Sequence, residues 1–215
     1  MRLLCVSDIH GYADALDAVL EEATDRTWDQ LVVCGDICFP GPEPLRVWRT
    51  LVSNNALCVQ GLTDRALAEV KPELLKGAGP ADQARVKRFL QMQTELGELI
   101  LARLARLPAV ATLPLESGQT MTIVHGAPGD PTESITVDMT DEEISAVLGD
   151  SPGDIVVCGG SHMSFERQVG DVRVVSVGSV GEAPDSRYAH ACLIVSTPEG
   201  VTVEPFYAPI GAESA

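Results

Sequence analysis

Asp8 and His10, one residue apart, close the apolar run from Arg2 to Val6. Side chains of an extended segment alternate with period two, so an acid and an imidazole at this spacing project from one side. Such a pair offers a cation one oxygen and one nitrogen donor, half of a metal site. The rest of the chain repeats the theme. Asp36 follows the run from Gln30 to Cys34, His125 follows the run ending TIV, and the run DIVVCGG leads into Ser161 and His162. In an open α/β sheet, loops at the carboxyl ends of strands converge from distant parts of the sequence. Two carboxylates and three imidazoles form a mixed oxygen and nitrogen set, suited to manganese, iron or zinc and unlike a thiolate site. Taken singly, each fragment has a plainer reading. A strand-end Asp caps the following helix, Gly-Asp after a strand marks a turn, and His190 beside Tyr188 reads as structural or exposed. The metal reading rests on the ordered combination DxH, GD, HG and GxSH, each preceded by an apolar run.

These residues require strands to position them, and the first sixty residues alternate strand and helix. The run Arg2–Val6 precedes a helix from Tyr12 to Ala23, where Leu16, Val19, Leu20 and Ala23 form one apolar stripe and Asp14 is placed to cap. Gln30 to Cys34, a helix around Leu45 to Leu51, and a strand from Ala56 to Val59 ending in QGLTD follow. Strict alternation indicates a parallel sheet covered on both faces. From about Ala81 to Leu107 the pattern is helical, with turn signals in the preceding KGAGPADQ. This excursion is expected beside the open strand ends, as a lid or a dimer surface. After Pro108 seven short apolar or alternating runs follow, with hairpins around ESGQ and TPEG. One short helix starts after a capping box of Thr140 with Glu143. The second half therefore reads as a β-rich sheet facing the first, and GAESA as a frayed tail.

The 215 residues fit one large domain able to bury a substantial core, spanning 1–215 with the helical excursion around 81–107. No run of eighteen apolar residues marks a membrane span, and no secretory signal is expected. A formal net charge of −16 argues against a stable partnership with long nucleic acid, which demands Lys and Arg at the phosphates. A small phosphate compound remains compatible, because a metal supplies positive charge locally. Five of the six cysteines lie in apolar runs and read as small buried hydrophobes; Cys38, in a Gly/Pro-rich loop, is the exception. These five point to a reducing, cytoplasmic setting, and the lack of a CxxC pair argues against a structural zinc site. Oligomeric state leaves no trace in the sequence, and a homo-oligomer is compatible with it.

The opening VSDIHGYADALDAVL and the closing segment GSVGEAPDSRYA make the chain resemble the calcineurin-like metallophosphoesterases, especially their small bacterial phosphodiesterase branch, over nearly its whole length. The resemblance implies a four-layer α-β-β-α sandwich and two metal ions bridged by an aspartate and a hydroxide. It places Asp8, His10, Asp36 and His162 on the first ion and His125 on the second. The chain also departs from the pattern. GLTD stands for GNHD, so Leu62 occupies the place of a ligand Asn and Thr63 that of the leaving-group His. GGSH stands for GHTH, so Gly160 replaces another ligand His. By the family pattern the first site is complete and the second keeps Asp36 and His125 alone.

The expected function is metal-dependent hydrolysis of a small phosphate ester, with manganese first and iron or zinc as alternatives. One ion is expected to bind tightly and a second weakly or not at all, completed by substrate or by Asp64 or Ser161. Arg65 and Arg187 are the candidate phosphate-binding residues. The competing reading is a non-catalytic member of the fold that serves as a binding scaffold. A mononuclear site in an unrelated hydrolase stands third. The identity of the phosphate ester is not legible.

Overall fold

A computed structural model describes residues 1–71, 73, 75 and 79–211. Residues 76–78 of the expected turn and 212–215 of the expected tail lie outside them. The elements run β1 (Arg2–Val6), α1 (Ala13–Glu22), β2 (Gln30–Val33), α2 (Pro44–Ser53), β3 (Leu57–Cys58), α3 (Leu62–Glu69) and α4 (Pro80–Leu104). There follow β4 (Val110–Pro114), β5 (Thr120–Val124), α5 (Asp141–Leu148), β6 (Ile155–Cys158), β7 (Ser164–Val169), β8 (Val172–Val177), β9 (Tyr188–Thr197) and β10 (Gly200–Pro209).

Two five-stranded sheets form, in the orders β10-β9-β1-β2-β3 and β4-β5-β6-β8-β7. The expected parallel pairing holds for β1 with β2 and β2 with β3. The second half does not form one separate sheet, however. β9 runs antiparallel beside β1, register Cys5 to Cys192, and β10 extends that sheet outward. Hairpins at ESGQ and TPEG are present, and a third joins β7 to β8.

Three apolar layers hold four layers of structure together, and the period-two alternation of the strands builds them. Leu4 and Val6 face outward with Leu31 and Val33, against Leu16 and Val19 of α1, Val47 of α2, Leu67 of α3 and Met92 of α4. Leu3 and Cys5 face inward with Val32, against Met121, Ile123, Ile155 and Val157 of the second sheet. Val124, Val156 and Val174 face outward again, against Ile144 and Leu148 of α5. Strands covered on both faces are apolar throughout, which is why β1 and β6 read as continuous hydrophobic runs. The result is the α-β-β-α sandwich.

Several local expectations need correction. Asp14 is not a cap. Tyr12 holds the N-cap position, and the Asp14 carboxylate in the first turn accepts from Arg46 Nη1 at 2.6 Å. The segment after QG is not only a strand end but starts α3, capped by Asp64, whose carboxylate returns to the Gly61 N–H at 3.0 Å. The helical excursion is present but broken at Gly97, where φ is 69° and a side chain would find open space. The backbone there needs glycine for its conformation rather than for room. Cys38 is fully buried, and Cys58 is only half-buried.

Candidate metal centre

Backbone hydrogen bonds stitch the strand-end loops into one site. Asp8 N–H donates to Gly35 O at 3.1 Å and His10 N–H to Asp36 O at 2.9 Å, joining the loops after β1 and β2. Gly159 N–H donates to His125 O at 2.9 Å, joining those after β5 and β6. Val180 and Gly181 N–H donate to Ser7 and Asp8 O, both at 3.0 Å, which ties the loop after β8 to the opposite sheet. Residues far apart in sequence thus share one position in space.

The five sequence-nominated donors come together. His162 Nε2 lies 3.2 Å from His10 Nε2 and 3.2 Å from Asp8 Oδ1. Asp8 Oδ1 is also 3.7 Å from His10 Nε2. Asp36 Oδ2 lies 3.6 Å from His125 Nε2 and 4.0 Å from His10 Nε2. Two compact triads result, Asp8–His10–His162 and Asp8–Asp36–His125, with donor atoms within 4.8 Å of one another. Asp8, rather than Asp36, is the residue common to both.

The tautomers follow from the partners. His10 Nδ1 faces the Phe39 carbonyl, His125 Nδ1 the Cys34 carbonyl at 2.8 Å, and His162 Nδ1 the Glu182 carbonyl at 3.1 Å. A carbonyl only accepts, so each Nδ1 carries the proton and each neutral ring turns the Nε2 lone pair inward. Two inward lone pairs 3.2 Å apart repel unless positive charge lies between them. Asp8 adds to this need. Its Oδ2 accepts from Gly160 N–H at 2.9 Å, but its buried Oδ1 has no donor among the described residues. The chemistry of the set therefore fits a divalent cation.

The same demand is visible when protons stand in for the cation. The Asp8 carboxylate, 3.2 Å from His162 Nε2, holds that imidazole above its ordinary 6.5. Burial pulls His125 the other way, but the charges of Asp36 and Asp8 outweigh it and raise its pKa. Burial alone would raise Asp8, and the neighbouring imidazoles hold it below its usual range instead.

Backbone strain concentrates here. Asp8, His10, Asp36 and His162 have φ of 52°, 53°, 54° and 58°. Outside the site, only Thr27 and Asn55 among described non-glycine residues share that region. Each such residue costs on the order of 1–3 kcal/mol and persists where its surroundings dictate the geometry.

The departures from the family pattern are structural facts. Leu62 opens α3 and is 43% exposed. Thr63 N–H donates to Asp36 Oδ1 at 2.8 Å, leaving Oδ2 to face the histidines, while the buried Thr63 Oγ1 has no partner among the described residues. At Gly160 a Cβ would lie 3.4 Å from His125 Nε2 and 2.6 Å from Ser134 Oγ, so this position adjoins the second triad.

Neither nominated substitute replaces the lost donors. Asp64 is buried with its oxygens on the Ile37 and Gly61 N–H groups, and burial and the Asp36 charge push its pKa up to about 6. Ser161 Oγ bonds Ser176 Oγ at 3.0 Å. The nominated phosphate binders are also engaged elsewhere. Arg65 pairs with Glu69 at 3.0 Å along α3, and Arg187 with Asp185 at 2.6 Å.

One residue at the site escaped the sequence reading. Glu182 Oε2 lies 3.6 Å from His10 Nε2. The helical excursion also matters. Arg88 of α4 donates to the carbonyls of Pro40, at 3.0 Å, and Gly41, while Phe89 packs edge-on against Phe39. It braces the segment whose carbonyl orients His10. A cavity of about 350 Å³ beside Thr63 is lined by Phe39, Leu62, Arg85 and Phe89.

Residues 1–199 match the family model of the calcineurin-like phosphoesterase superfamily domain, and the chain belongs to that family. No curated protein matches the sequence. Among solved structures, it is similar to a hypothetical protein from Pyrococcus horikoshii, with 19% identity, 99% of this chain and 89% of that one covered, and a TM-score of 0.82. A metallophosphoesterase from Sphaerobacter thermophilus gives 20% identity, 96% and 88% coverage, and 0.73. A putative diadenosine tetraphosphatase gives 18%, 98% and 95% coverage, and 0.60. At these identities the likeness establishes the fold.

Proposed function

We propose that the chain is a metal-dependent phosphoesterase with one firmly held divalent ion, manganese first, bound by Asp8, His10 and His162. Asp36 stands on the edge of that position and, with His125, forms a weaker one. Once bound, such an ion polarises a phosphoryl oxygen and lowers the pKa of water at its open position. The protein's own part is orientation. The carbonyls of Phe39, Glu182 and Cys34 fix three ring orientations, and Thr63 N–H fixes Asp36. Supporting partners of this kind set both ligand basicity and geometry. The apolar cavity beside Thr63 offers room for the organic part of a small ester. Because the second position lacks two family donors, chemistry there depends on groups the substrate brings.

The observation that carries this reading is the buried, donor-free Asp8 Oδ1 facing two inward imidazole nitrogens. The test is metal analysis of purified protein, followed by hydrolysis of bis(p-nitrophenyl) phosphate and p-nitrophenyl phosphate with added Mn²⁺. Close to one ion per chain, with turnover that rises in excess metal, is the expected result. A metal-saturated protein without turnover on either ester favours the scaffold reading, which the loss of donors at Leu62 and Gly160 would then explain.

A further inference from the structure

We propose that Glu182 is an additional ligand of the ion held by Asp8, His10 and His162. This rests on the metal reading above and makes that position a two-carboxylate, two-imidazole site. The backbone of Glu182 is bound to the site at both ends. Its N–H donates to Ser179 Oγ at 2.8 Å, and that hydroxyl donates in turn to the Asp8 carbonyl at 2.9 Å. Its own carbonyl accepts from His162 Nδ1 at 3.1 Å. The side chain is thereby launched between two ligand-bearing loops.

Its Oε2 stands 3.6 Å from His10 Nε2, nearer than Asp36 Oδ2 at 4.0 Å. Donors around a tetrahedral ion with bonds of about 2.1 Å are roughly 3.4 Å apart, so the spacing is that of neighbouring ligands. Glu182 lies outside the compact triad, and its side chain is 36% exposed, free to turn inward.

Charge supplies the reason for it to turn. Asp8 and His10 are almost wholly buried, so a further carboxylate helps to neutralise a dication held in this desolvated position, with Asp36 standing only at its edge. The other acids at the site are wholly or partly committed. Asp64 spends its oxygens on backbone N–H groups, and Asp36 gives one to Thr63. Glu182 brings a further carboxylate, on the His10 side of the triad.

The experiment compares the wild-type protein with Glu182→Gln and Glu182→Asp by Mn²⁺ titration and by the visible absorption of the Co²⁺-loaded protein. Gln keeps the size and the backbone bonds, and unchanged melting of metal-free protein confirms folding. Mn²⁺ affinity is expected to fall at least about 10-fold in Glu182→Gln, no less than loss of an orienting partner costs, with a changed Co²⁺ spectrum that marks a direct ligand and partial rescue by Asp. Unchanged affinity overturns the proposal. Weaker binding with an unaltered Co²⁺ spectrum also overturns it, because the carboxylate would then act only through its charge. Failure of the wild-type protein to bind either ion sinks the metal reading itself, a result distinct from both.

Discussion

The triad Asp8–His10–His162 and the triad Asp8–Asp36–His125 share a carboxylate but differ in their surroundings. The first has two imidazoles with facing nitrogens 3.2 Å apart, a nearby glutamate, and one half-open side. The second has one imidazole and two carboxylates, all nearly buried, bordered by the bare backbone of Gly160. Both rest on the same strand ends and the same kind of carbonyl-held histidine. What separates them is donor type and exposure, two imidazoles and one carboxylate with a half-open side against one imidazole and two carboxylates under cover.

The largest effect is expected where the triads meet. Asp8→Asn should lower Mn²⁺ affinity more than about 100-fold, beyond the 10- to 100-fold typical of a residue that only orients a ligand; titration against a fluorescent chelator reads this out. Next, the triple variant Leu62→Asn, Gly160→His, Ser134→Ala should raise the ion content towards two per chain. Removing the Ser134 hydroxyl matters because a Cβ at 160 would meet it at 2.6 Å. Unchanged stoichiometry would break the assignment of these positions to the second triad.

His125→Gln sharpens the contrast. It should leave one tight ion in place yet destabilise the fold by about 1–3 kcal/mol, since the Cys34 carbonyl loses its buried donor. Chemical denaturation checks it. A smaller effect is pH-dependent. The folded pKa of His162 is raised by Asp8, so the metal-free protein gains stability below about 6.5 and loses it as pH rises through that higher folded value. Metal loading, which needs the neutral ring, should run in the opposite sense over the same interval. Melting curves with chelator and with Mn²⁺ should therefore diverge as pH rises. Arg187→Ala, which removes only an exposed pair with Asp185, should change neither metal affinity nor stability measurably.

Much of this was legible in the strand ends. Apolar runs closed by Asp, His or Gly-Asp identify β1, β2, β5 and β6, because strands covered on both faces need such runs and site loops start where they stop. Which sheet a strand joins was not legible. β9 and β10 are alternating runs like their neighbours, and only packing assigns them to the first sheet. Helix α3 was hidden because LTDRALAE buries Leu67 alone of its apolar residues and its cap is a carboxylate three positions inside. The pairing of Arg65 with Glu69 and of Arg187 with Asp185 was not legible, because residue type says nothing of which acid is near. Glu182 was missed because an acid after Gly-Ser-Val-Gly reads as a solvated turn. The signal that finds it is the tertiary bond from its carbonyl to His162, invisible in the chain.

The most direct measurement is anomalous diffraction from a crystal soaked in Mn²⁺. Convergence of the strand ends on one ion predicts a single strong peak about 2.2 Å from Asp8 Oδ1, His10 Nε2 and His162 Nε2. No peak, or one confined to Asp36 and His125, would contradict it.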